Sequence, residues 1–377
     1  MGVAGVGAFG RNHLRVLREL ETAGRGVTLA AAVEPDAQRA AQARAQYGIP
    51  IFASIAELPA DFKLDAVCVA VPTVEHHPVA AALLDAGIDL LVEKPLAANL
   101  AQADDLIERA RRHHSILQPG HLERFNPALL AIEPRVKRPM FFEAHRLSVF
   151  TPRSLDVDVI LDLMIHDLDI VLALAASPVR EVRAVGLPIV SPRVDIANAR
   201  VEFESGCVAN FTASRVSTER VRKLRFFEPR QYVSIDYARR DALIIRMDAG
   251  SGALPAELAC ALASGNADAN LLRQLAVRGG ASDLAALAAN SPPSAGSLAP
   301  SAAGPAPGLS FVKPEVAPGE PLRLEIESFL DSVRTRQAPR VTAHQGRAAL
   351  ELALRIQSTM AAHAQRAGLA DFFNPGA

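Results

Sequence analysis

The stretch "MGVAGVGAFGRNHLRVLREL", residues 1–20, joins a short apolar strand to an amphipathic helix through a turn that contains three glycines. In such a turn Gly5 permits a tight bend, and Gly7 lets a pyrophosphate approach the backbone. Gly10 allows the helix to pack closely on the strand, and the N–H groups at the helix N-terminus hold the phosphates. The stretch therefore predicts a dinucleotide-binding fold, although the strand before the turn is short.

A carboxylate at the end of the predicted second strand supports this interpretation. Glu34 closes the apolar run of "LAAAVEPD", residues 29–36. At this place it can accept hydrogen bonds from both ribose hydroxyls and would repel a 2'-phosphate, so the predicted cofactor is NAD. The alternative, a glycine turn that binds no nucleotide, stays open because glycine turns are common.

The first third of the chain alternates between two periodicities. Short apolar runs such as "DAVCVAVP" (65–72) alternate with stretches of helical spacing such as "LAQADDLIERARR" (100–112). Strands without polar alternation, separated by helices, indicate a parallel sheet that is covered on both faces. We predict an N-terminal NAD-binding Rossmann domain over residues 1–118.

Beyond residue 118 short strands follow one another with little helix between them, as in "MFFEAHRLSVF" (140–150). This succession of short strands predicts an α+β domain with a large, mainly antiparallel sheet over 119–377. From about 249 to 320 the composition shifts to Ala, Gly, Ser and Pro, which cannot bury enough apolar surface to offset its ordering entropy. We expect a mobile insertion there.

Polar residues follow two predicted strands at the edge where a parallel sheet binds its ligands. Lys94 ends the run "DLLVEK" and would project towards the reactive end of the nicotinamide. The alternative, a surface pair of Glu93 with Lys94, is disfavoured because neighbours in a strand point to opposite faces. His76, in "VPTVEHHP", either contacts the cofactor or lies at a solvated helix start. The residues predicted to contact NAD are Gly5, Gly7, Ala8, Phe9, Gly10, Glu34, Pro72, Thr73, His76, Glu93 and Lys94.

The stretch "LDLMIHDLDIVLAL", residues 161–174, places charged residues in an otherwise apolar helix. Asp162 and His166 are four residues apart and should share one face, with Asp169 one turn further on. A carboxylate beside an imidazole fixes its tautomer and raises its basicity, which suits a general base. A structural histidine and a metal site are the alternatives, and the metal is disfavoured because the sequence shows no further ligand cluster.

These parts fit the oxidation of an alcohol. The hydroxyl gives up a hydride readily only as its proton leaves, so the site needs a base near the hydroxyl and a cation near the developing alkoxide. We predict that His166 takes the proton and that Lys94 holds the oxygen, with Asp162 as the third catalytic residue. The cofactor would accept the hydride.

Three motifs together, "GVGAFG", "VEKP" and "DLMIHDLD", resemble the Gfo/Idh/MocA oxidoreductases, and the resemblance covers almost everything except 249–320. It implies that Lys94, Asp162 and His166 line the substrate site. The segments 120–129 and 214–237 resemble the branch of the family that oxidises the 3-hydroxyl of UDP-N-acetylglucosamine to a ketone. The resemblance further implies that an aminotransferase converts this ketone to an amine for lipid A. Another sugar or polyol, such as inositol, and a catalytically silent NAD-binding subunit remain alternatives.

Cations could bind the diphosphate of a nucleotide sugar. Arg124 and Asn126 follow the last Rossmann strand, while Arg215 and Lys223 lie in the antiparallel part. The stretch "ERFNP" can equally be a helix start with Pro127 in the first turn, which is a purely structural role. The residues predicted to bind substrate are Lys94, Arg124, Asn126, Arg153, Asp162 and His166.

The composition of the 377-residue chain points to small-molecule chemistry. A formal net charge of -1 gives no electrostatic footprint for nucleic acid, and no apolar run approaches the roughly 20 residues of a membrane span. Three scattered cysteines without a CxxC pair fit a reducing compartment, so we expect a cytoplasmic protein. An open antiparallel sheet with an apolar face needs covering, which predicts a homodimer or homotetramer.

Overall fold

The computed structural model describes residues 1–59, 61–151, 157–247 and 309–369. Most of the predicted insertion, 249–308, lies outside these residues. The described remainder, 309–320, starts with a strand at the edge of the second sheet. The mobility of the insertion stays a prediction.

The first domain is a six-stranded sheet in which every adjacent pair of strands is parallel, in the order β3-β2-β1-β4-β5-β6. The order reverses between β1 and β4, which opens a crevice at the carboxyl ends of the strands. Its strands are β1 (Gly2–Ala4), β2 (Ala31–Val33), β3 (Ile51–Phe52), β4 (Ala66–Val69), β5 (Asp89–Glu93) and β6 (Leu117–Gly120). Its helices are α1 (Ala8–Thr22), α2 (Ala37–Tyr47), α3 (Thr73–Asp85) and α4 (Leu100–His113), with a 3-10 turn at Ile55–Glu57. The predicted Rossmann architecture is confirmed.

The helix ends follow from local side-chain chemistry. Asp36 accepts a hydrogen bond from the first turn of α2, and Gly48 ends this helix in the left-handed conformation at φ 64°. Asn99 caps α4 in the same way as Asp36 caps α2. Side chains of this type satisfy N–H groups that have no partner within the helix.

The second domain is an eight-stranded sheet in the order β14-β13-β12-β11-β7-β10-β9-β8. It is antiparallel except for the pair β7 and β10, so the predicted mainly antiparallel sheet is confirmed. Its strands are β7 (Phe141–Val149), β8 (Val179–Leu187), β9 (Ile196–Phe203), β10 (Val208–Ser217), β11 (Val221–Glu228), β12 (Gln231–Asp236), β13 (Asp241–Met247) and β14 (Leu309–Val312). The helices that follow β6 are α5 (Pro127–Ile132), α6 (Ile165–Ala175), α7 (Pro321–Thr335) and α8 (Ala343–Arg366), with 3-10 turns at Leu122–Phe125 and Glu133–Arg135 and a π turn at Ile160–Met164.

Helix α7 departs from the predicted division of the chain at 118/119. Its apolar face, with Leu322, Ile326 and Phe329, lies in the same core as Leu14 and Leu17 of α1. Helix α8 instead packs with α6 against the second sheet. We therefore propose that α7 belongs to the NAD-binding domain although it follows the second sheet in sequence.

None of the helices in the described segments is long and apolar enough to cross a membrane.

Candidate active site

The glycine turn leaves room for a cofactor. Gly5 has a φ of +87°, and a Cβ there would lie 2.7 Å from the carbonyl oxygen of Ala70. A Cβ at Gly10 would lie 1.8 Å from the carbonyl oxygen of Gly5, so neither position tolerates a side chain. A Cβ at Gly7 would meet no described atom within 4 Å. Gly7 also precedes the first residue of α1, so the open space faces free helix N–H groups and fits a pyrophosphate.

The carboxylate of Glu34 supports the same turn. Its Oε2 accepts a hydrogen bond of 2.7 Å from the Val6 N–H, and its Oε1 accepts one of 3.0 Å from the Asp36 N–H. Arg39 lies 3.2 Å from Oε1. Glu34 thus ties the end of β2 to the glycine turn, and its predicted contact with the ribose remains a prediction.

His76 takes neither of its two predicted roles. The ring is buried, with Nδ1 2.8 Å from the Pro95 carbonyl oxygen and Nε2 3.0 Å from the Val71 carbonyl oxygen. Burial lowers the pKa of His76. The side chain therefore braces the ends of β4 and β5 and points neither to the cofactor nor to solvent. Pro72 and Thr73 begin α3 at the carboxyl end of β4, as predicted from sequence.

Glu93 and Lys94 point to opposite faces of the sheet. The Glu93 carboxylate is buried, and its Oε1 lies 2.8 Å from Nε2 of His13. Burial alone would raise the pKa of Glu93, but the hydrogen bond and charge of His13 and the nearby Lys94 lower it. Since His13 holds this carboxylate in the core, we assign Glu93 to the support of the strand end rather than to cofactor contact.

Lys94 crosses to the second domain. Its Nζ donates hydrogen bonds to the carbonyl oxygens of Asp162, at 2.7 Å, and Leu161, at 3.3 Å. The carboxylate of Asp162 lies 3.6 Å from the same nitrogen. Burial lowers the pKa of Lys94, while Asp162 and Glu93 counteract this effect. The two constellations predicted from separate parts of the sequence therefore meet at one point.

The predicted pairing of Asp162 with His166 is not formed among the described residues. Asp162 belongs to a π turn, whose i→i+5 hydrogen bonds widen the helix and change which side chains are stacked. Its carboxylate faces Lys94 instead of the imidazole. The expectation that the basicity of His166 is raised is also wrong, because burial and then Lys94 and Arg146 lower its pKa well below 6.5. His166 is consequently a neutral imidazole at pH 7 and can accept a proton.

A buried charged network that sequence reasoning missed lies beside His166. Arg146 on β7 donates to both carboxylate oxygens of Asp167, at 2.7 and 2.9 Å, and to Glu123 at 3.0 Å. Burial would lower the pKa of Arg146, but Asp167 and Glu123 raise it. Arg222 lies directly opposite on β11, with Nη1 3.8 Å from the same Glu123 oxygen. The network places fixed charge close to the imidazole.

One signal for this network was visible in the sequence. Phe142, Ala144 and Arg146 alternate along β7 and are all buried. A charged residue at an inward position of an alternating strand needs a buried partner. Asp167, next to His166 in the apolar helix, is that partner.

Asn126 and Arg124, which are predicted to bind substrate, both make contacts within the fold, and their substrate contacts stay a prediction. Asn126 caps α5 through the Ala128 N–H, and its Nδ2 donates to Glu123 and to the Tyr237 carbonyl oxygen, both at 3.1 Å. The structural alternative, a helix start with proline in the first turn, is confirmed. Arg124 is buried, with Nη1 3.6 Å from Asp169.

The remaining predicted cations divide into three cases. Arg153 lies outside the described residues. Arg215 is 5% exposed and bonds the Val157 carbonyl oxygen, with Nε 3.5 Å from Asp195, so it is used within the fold. Lys223 is half-buried on β11 and lies 3.9 Å from Asp236.

Glu325 of α7 is a buried acid close to this site. It is 0% exposed, and its two oxygens have no hydrogen-bond partner among the described residues. Burial, followed by the nearby charges of Glu93 and Asp169, raises the pKa of Glu325 well above 4.5. The native state therefore favours the neutral acid.

We expect Glu325→Gln to stabilise the protein by an amount that grows with pH. A carboxyl group with a raised native pKa contributes its stability below its unfolded pKa of 4.5 and loses it as the pH rises towards the native value. The difference in apparent Tm between variant and wild type should be near zero below that pH and should increase above it. Thermal scans from acid to alkaline pH measure this difference, with Glu327→Gln on the same helix as the control. A pH-independent difference would contradict the assignment.

Comparison with known proteins agrees with the arrangement of both domains. A sequence model described as an oxidoreductase family with an NAD-binding Rossmann fold matches residues 1–121. The model of the GFO/IDH/MocA C-terminal domain matches residues 132–230. The two matches follow the division into a parallel and a mainly antiparallel sheet.

Several relatives share the sequence or the fold. The UDP-N-acetylglucosamine 3-dehydrogenase of Acidithiobacillus ferrooxidans is 38% identical over 251 residues, which are 66% of this chain and 78% of that enzyme. A solved structure of that enzyme has a TM-score of 0.77 at 31% identity and covers 97% of this chain and 98% of that chain. An inositol 2-dehydrogenase of Leifsonia xyli is 33% identical over 192 residues, 48% of this chain and 55% of that enzyme. A levoglucosan dehydrogenase solved with NADH and levoglucosan, at 14% identity and a TM-score of 0.72 over 96% of each chain, has the same fold. The chain therefore belongs to the Gfo/Idh/MocA oxidoreductases and is an NAD-dependent sugar dehydrogenase.

Proposed function

We propose that the protein oxidises the 3-hydroxyl of UDP-N-acetylglucosamine to a ketone. The observation that carries the chemistry is the contact of Lys94 with the turn that leads into His166, which brings a cation and a neutral base to the same crevice. The sugar is proposed from the relative in A. ferrooxidans, whose name states this substrate. The inositol 2-dehydrogenases support a polyol as the second candidate.

The residues divide the reaction between them. His166 accepts the hydroxyl proton, and the ammonium of Lys94 stabilises the negative charge that develops on the oxygen. NAD, when bound against the glycine turn, supplies the acceptor for the hydride. The carboxylate of Asp162 stays beside Lys94 and positions the lysine ammonium. The substrate carbon loses one hydride and its oxygen one proton, which gives the ketone.

Arg222 is a further candidate, besides Arg124 and Asn126, for binding the diphosphate. Its Nε has no hydrogen-bond partner among the described residues, and its one ion pair, to Glu123, is long at 3.8 Å. Its charge also contributes to the lowered pKa of His166, so it lies near the site. A guanidinium that keeps free donors can bind phosphate oxygens in a bidentate manner.

A homo-oligomer is proposed from the open face of the second sheet. Phe141, Phe227 and Tyr232 form a row there, with ring centroids 5.6 and 5.2 Å apart, and all three are partly exposed. An aromatic row of this kind is typical of a covered surface. Light scattering during size-exclusion chromatography distinguishes a dimer or tetramer from a monomer.

We expect a plot of kcat against pH to show a plateau that ends in a fall on the acid side and a fall on the alkaline side. Loss of activity on the acid side follows protonation of His166, whose pKa is lowered well below 6.5 by burial and by Lys94. Loss on the alkaline side follows deprotonation of Lys94, whose pKa burial lowers from 10.5. A kcat profile that falls already at pH 6.5 or above on the acid side would contradict the role of His166.

A substrate panel tests the proposed reaction. UDP-N-acetylglucosamine, other UDP-sugars, free N-acetylglucosamine and inositols are each supplied with NAD, and NADH formation is followed by absorbance. We expect UDP-N-acetylglucosamine to have the highest kcat/KM. Mass analysis with an added sugar aminotransferase and an amino donor should then show the amino sugar. Preferential turnover of inositol or a free sugar would replace the proposed substrate, and absence of turnover with every compound would favour a silent subunit.

A further inference from the structure

A cavity of about 510 Å³ lies beside α6. It opens between α6, α8 and the start of β8, and buried Asp169 and Arg124 belong to its wall. Glu351 and Arg355 of α8 also line it. The glycine turn, Lys94 and His166 do not line this cavity, so it is separate from the crevice that takes cofactor and sugar.

His166 needs a way to lose the proton that it accepts. It is half-buried, and the surrounding Lys94, Arg146 and Arg222 are all cationic, so a protonated imidazole is unfavourable there. During turnover the cofactor and the sugar nucleotide occupy the crevice in front of it. A proton route into the cavity between α6 and α8 would remain free.

Buried polar atoms continue from His166 towards the cavity. Asp169 follows His166 by three residues on the same helix, so the two side chains lie on one face. His121 Nδ1 lies 4.0 Å from Asp169 Oδ2. His121 is also one of the neighbouring groups that lower the pKa of His166. Both nitrogens of His121, Oδ2 of Asp169 and Nη1 of Arg124 make no hydrogen bond to a described residue. Buried polar atoms of this kind are usually satisfied by water, which can bridge gaps of this length.

We propose that the substrate proton leaves through the rear of the site, from His166 by way of His121 and Asp169 to water in the cavity. The inference rests on the proposed dehydrogenase reaction. The O–H bond of the substrate breaks, its proton passes to His166 and then along the relay to solvent, and the hydride leaves separately with the reduced cofactor. His121 and Asp169 touch neither substrate nor cofactor and act through His166.

The charges around the relay are compatible with proton transfer. His121 faces Asp169, Arg124, Lys94 and Glu93, and burial followed by the cations lowers its pKa, so the ring is neutral and can both accept and donate. Asp169 faces Arg124 and His121, and its charge also acts on Glu325 of α7. The relay therefore passes from a neutral imidazole at His121 to the carboxylate of Asp169 at the cavity wall.

Two variants test the route in the full-length protein with NAD and UDP-N-acetylglucosamine. Asp169→Asn keeps the shape but removes the proton acceptor, and Ala348→Phe fills the cavity without touching the relay. We expect kcat to fall by roughly 100-fold in both, the lower end of the usual contribution of a proton-transfer group, with a larger solvent isotope effect. Formate added to Asp169→Asn should restore part of the rate, whereas a purely structural defect would not respond. Glu351→Gln at the cavity wall serves as the control and should match wild type.

An activity-independent measurement separates this inference from the proposed function. In protein labelled with ¹⁵N-histidine and saturated with NAD, the exchange of the His166 ring proton with water is followed by NMR. Ala348→Phe should slow this exchange at least 10-fold if the cavity is the route. Unchanged exchange together with unchanged kcat overturns the relay even when wild type oxidises the sugar. Slowed exchange in a protein that oxidises no tested sugar retains the route and rejects the proposed substrate.

Discussion

Replacement of Lys94 by methionine is expected to lower kcat by roughly 10²–10³-fold, the range for loss of one group that stabilises a developing oxyanion. Methionine keeps most of the apolar stem of lysine but removes the ammonium that donates to the Asp162 and Leu161 carbonyl oxygens. The affinity for NAD should change little, because the glycine turn that holds the phosphates lies at another strand end. Steady-state NADH formation and a fluorescence titration of cofactor binding measure the two quantities separately.

The matched control for this variant is Lys313→Met. Lys313 is exposed just after β14, and its amine has an ion pair with Asp241 at 3.4 Å. Its loss should leave kcat close to that of wild type. Equal losses of activity in the two variants, or a wild-type rate in Lys94→Met, would remove Lys94 from the chemical step.

Replacement of His166 by glutamine is expected to lower kcat by roughly 10²–10⁴-fold, the usual contribution of a positioned general base. Glutamine can donate and accept hydrogen bonds but cannot take up the hydroxyl proton. The residual rate should rise with pH, because hydroxide or the ionised substrate then replaces the missing base. The acid limb of the kcat profile, which follows protonation of His166 in wild type, should disappear.

The pH dependence distinguishes this role from a structural one. A histidine needed only for packing would lower kcat by the same factor at every pH and would lower the apparent Tm as well. His166→Gln should instead fold with a Tm close to that of wild type at neutral pH, since the native ring is neutral there. A pH-independent loss of kcat together with a large fall in Tm would contradict the assignment of His166 as the base.

Features that depend on short stretches of sequence were predictable. The tight bend at Gly5, the close packing at Gly10 and the parallel sheet that follows are indicated by one glycine turn between a strand and a helix and by the alternation of apolar runs with helical stretches. The meeting of Lys94 with the segment before His166 followed from placing each motif at the ligand-binding edge of its domain. The spacing of apolar residues and the position of a residue at a strand end can both be recognised in a short stretch of sequence.

Features that depend on contacts between distant segments were not predictable. Whether a polar side chain turns to ligand or to core depends on partners elsewhere, as with His76 between two strand ends and Glu93 beside His13. Asn126 reaches the backbone of Tyr237, which is far away in sequence. The π turn at Asp162 has no recognisable pattern in the residues themselves, and it redirects the carboxylate from His166 to Lys94.

The domain to which helix α7 belongs also depends on contacts between distant segments. Its apolar face could cover either sheet, and its place after the second sheet in sequence favoured the second domain. The burial of Glu325 on this helix could not be expected, since a charged residue on an amphipathic helix normally faces solvent. The contacts of α7 with α1 and with the 3-10 turn Leu122–Phe125 appear only in three dimensions.

The most direct measurement uses UDP-N-acetylglucosamine that carries deuterium at C3 in a single turnover with NAD. If Lys94 and His166 flank that carbon, the deuterium will appear in the reduced nicotinamide, with a slower rate than for unlabelled substrate, and Lys94→Met will lose this transfer. Reduced cofactor without deuterium, or deuterium retained in the sugar after turnover, would show that another position is oxidised and would contradict the proposed site.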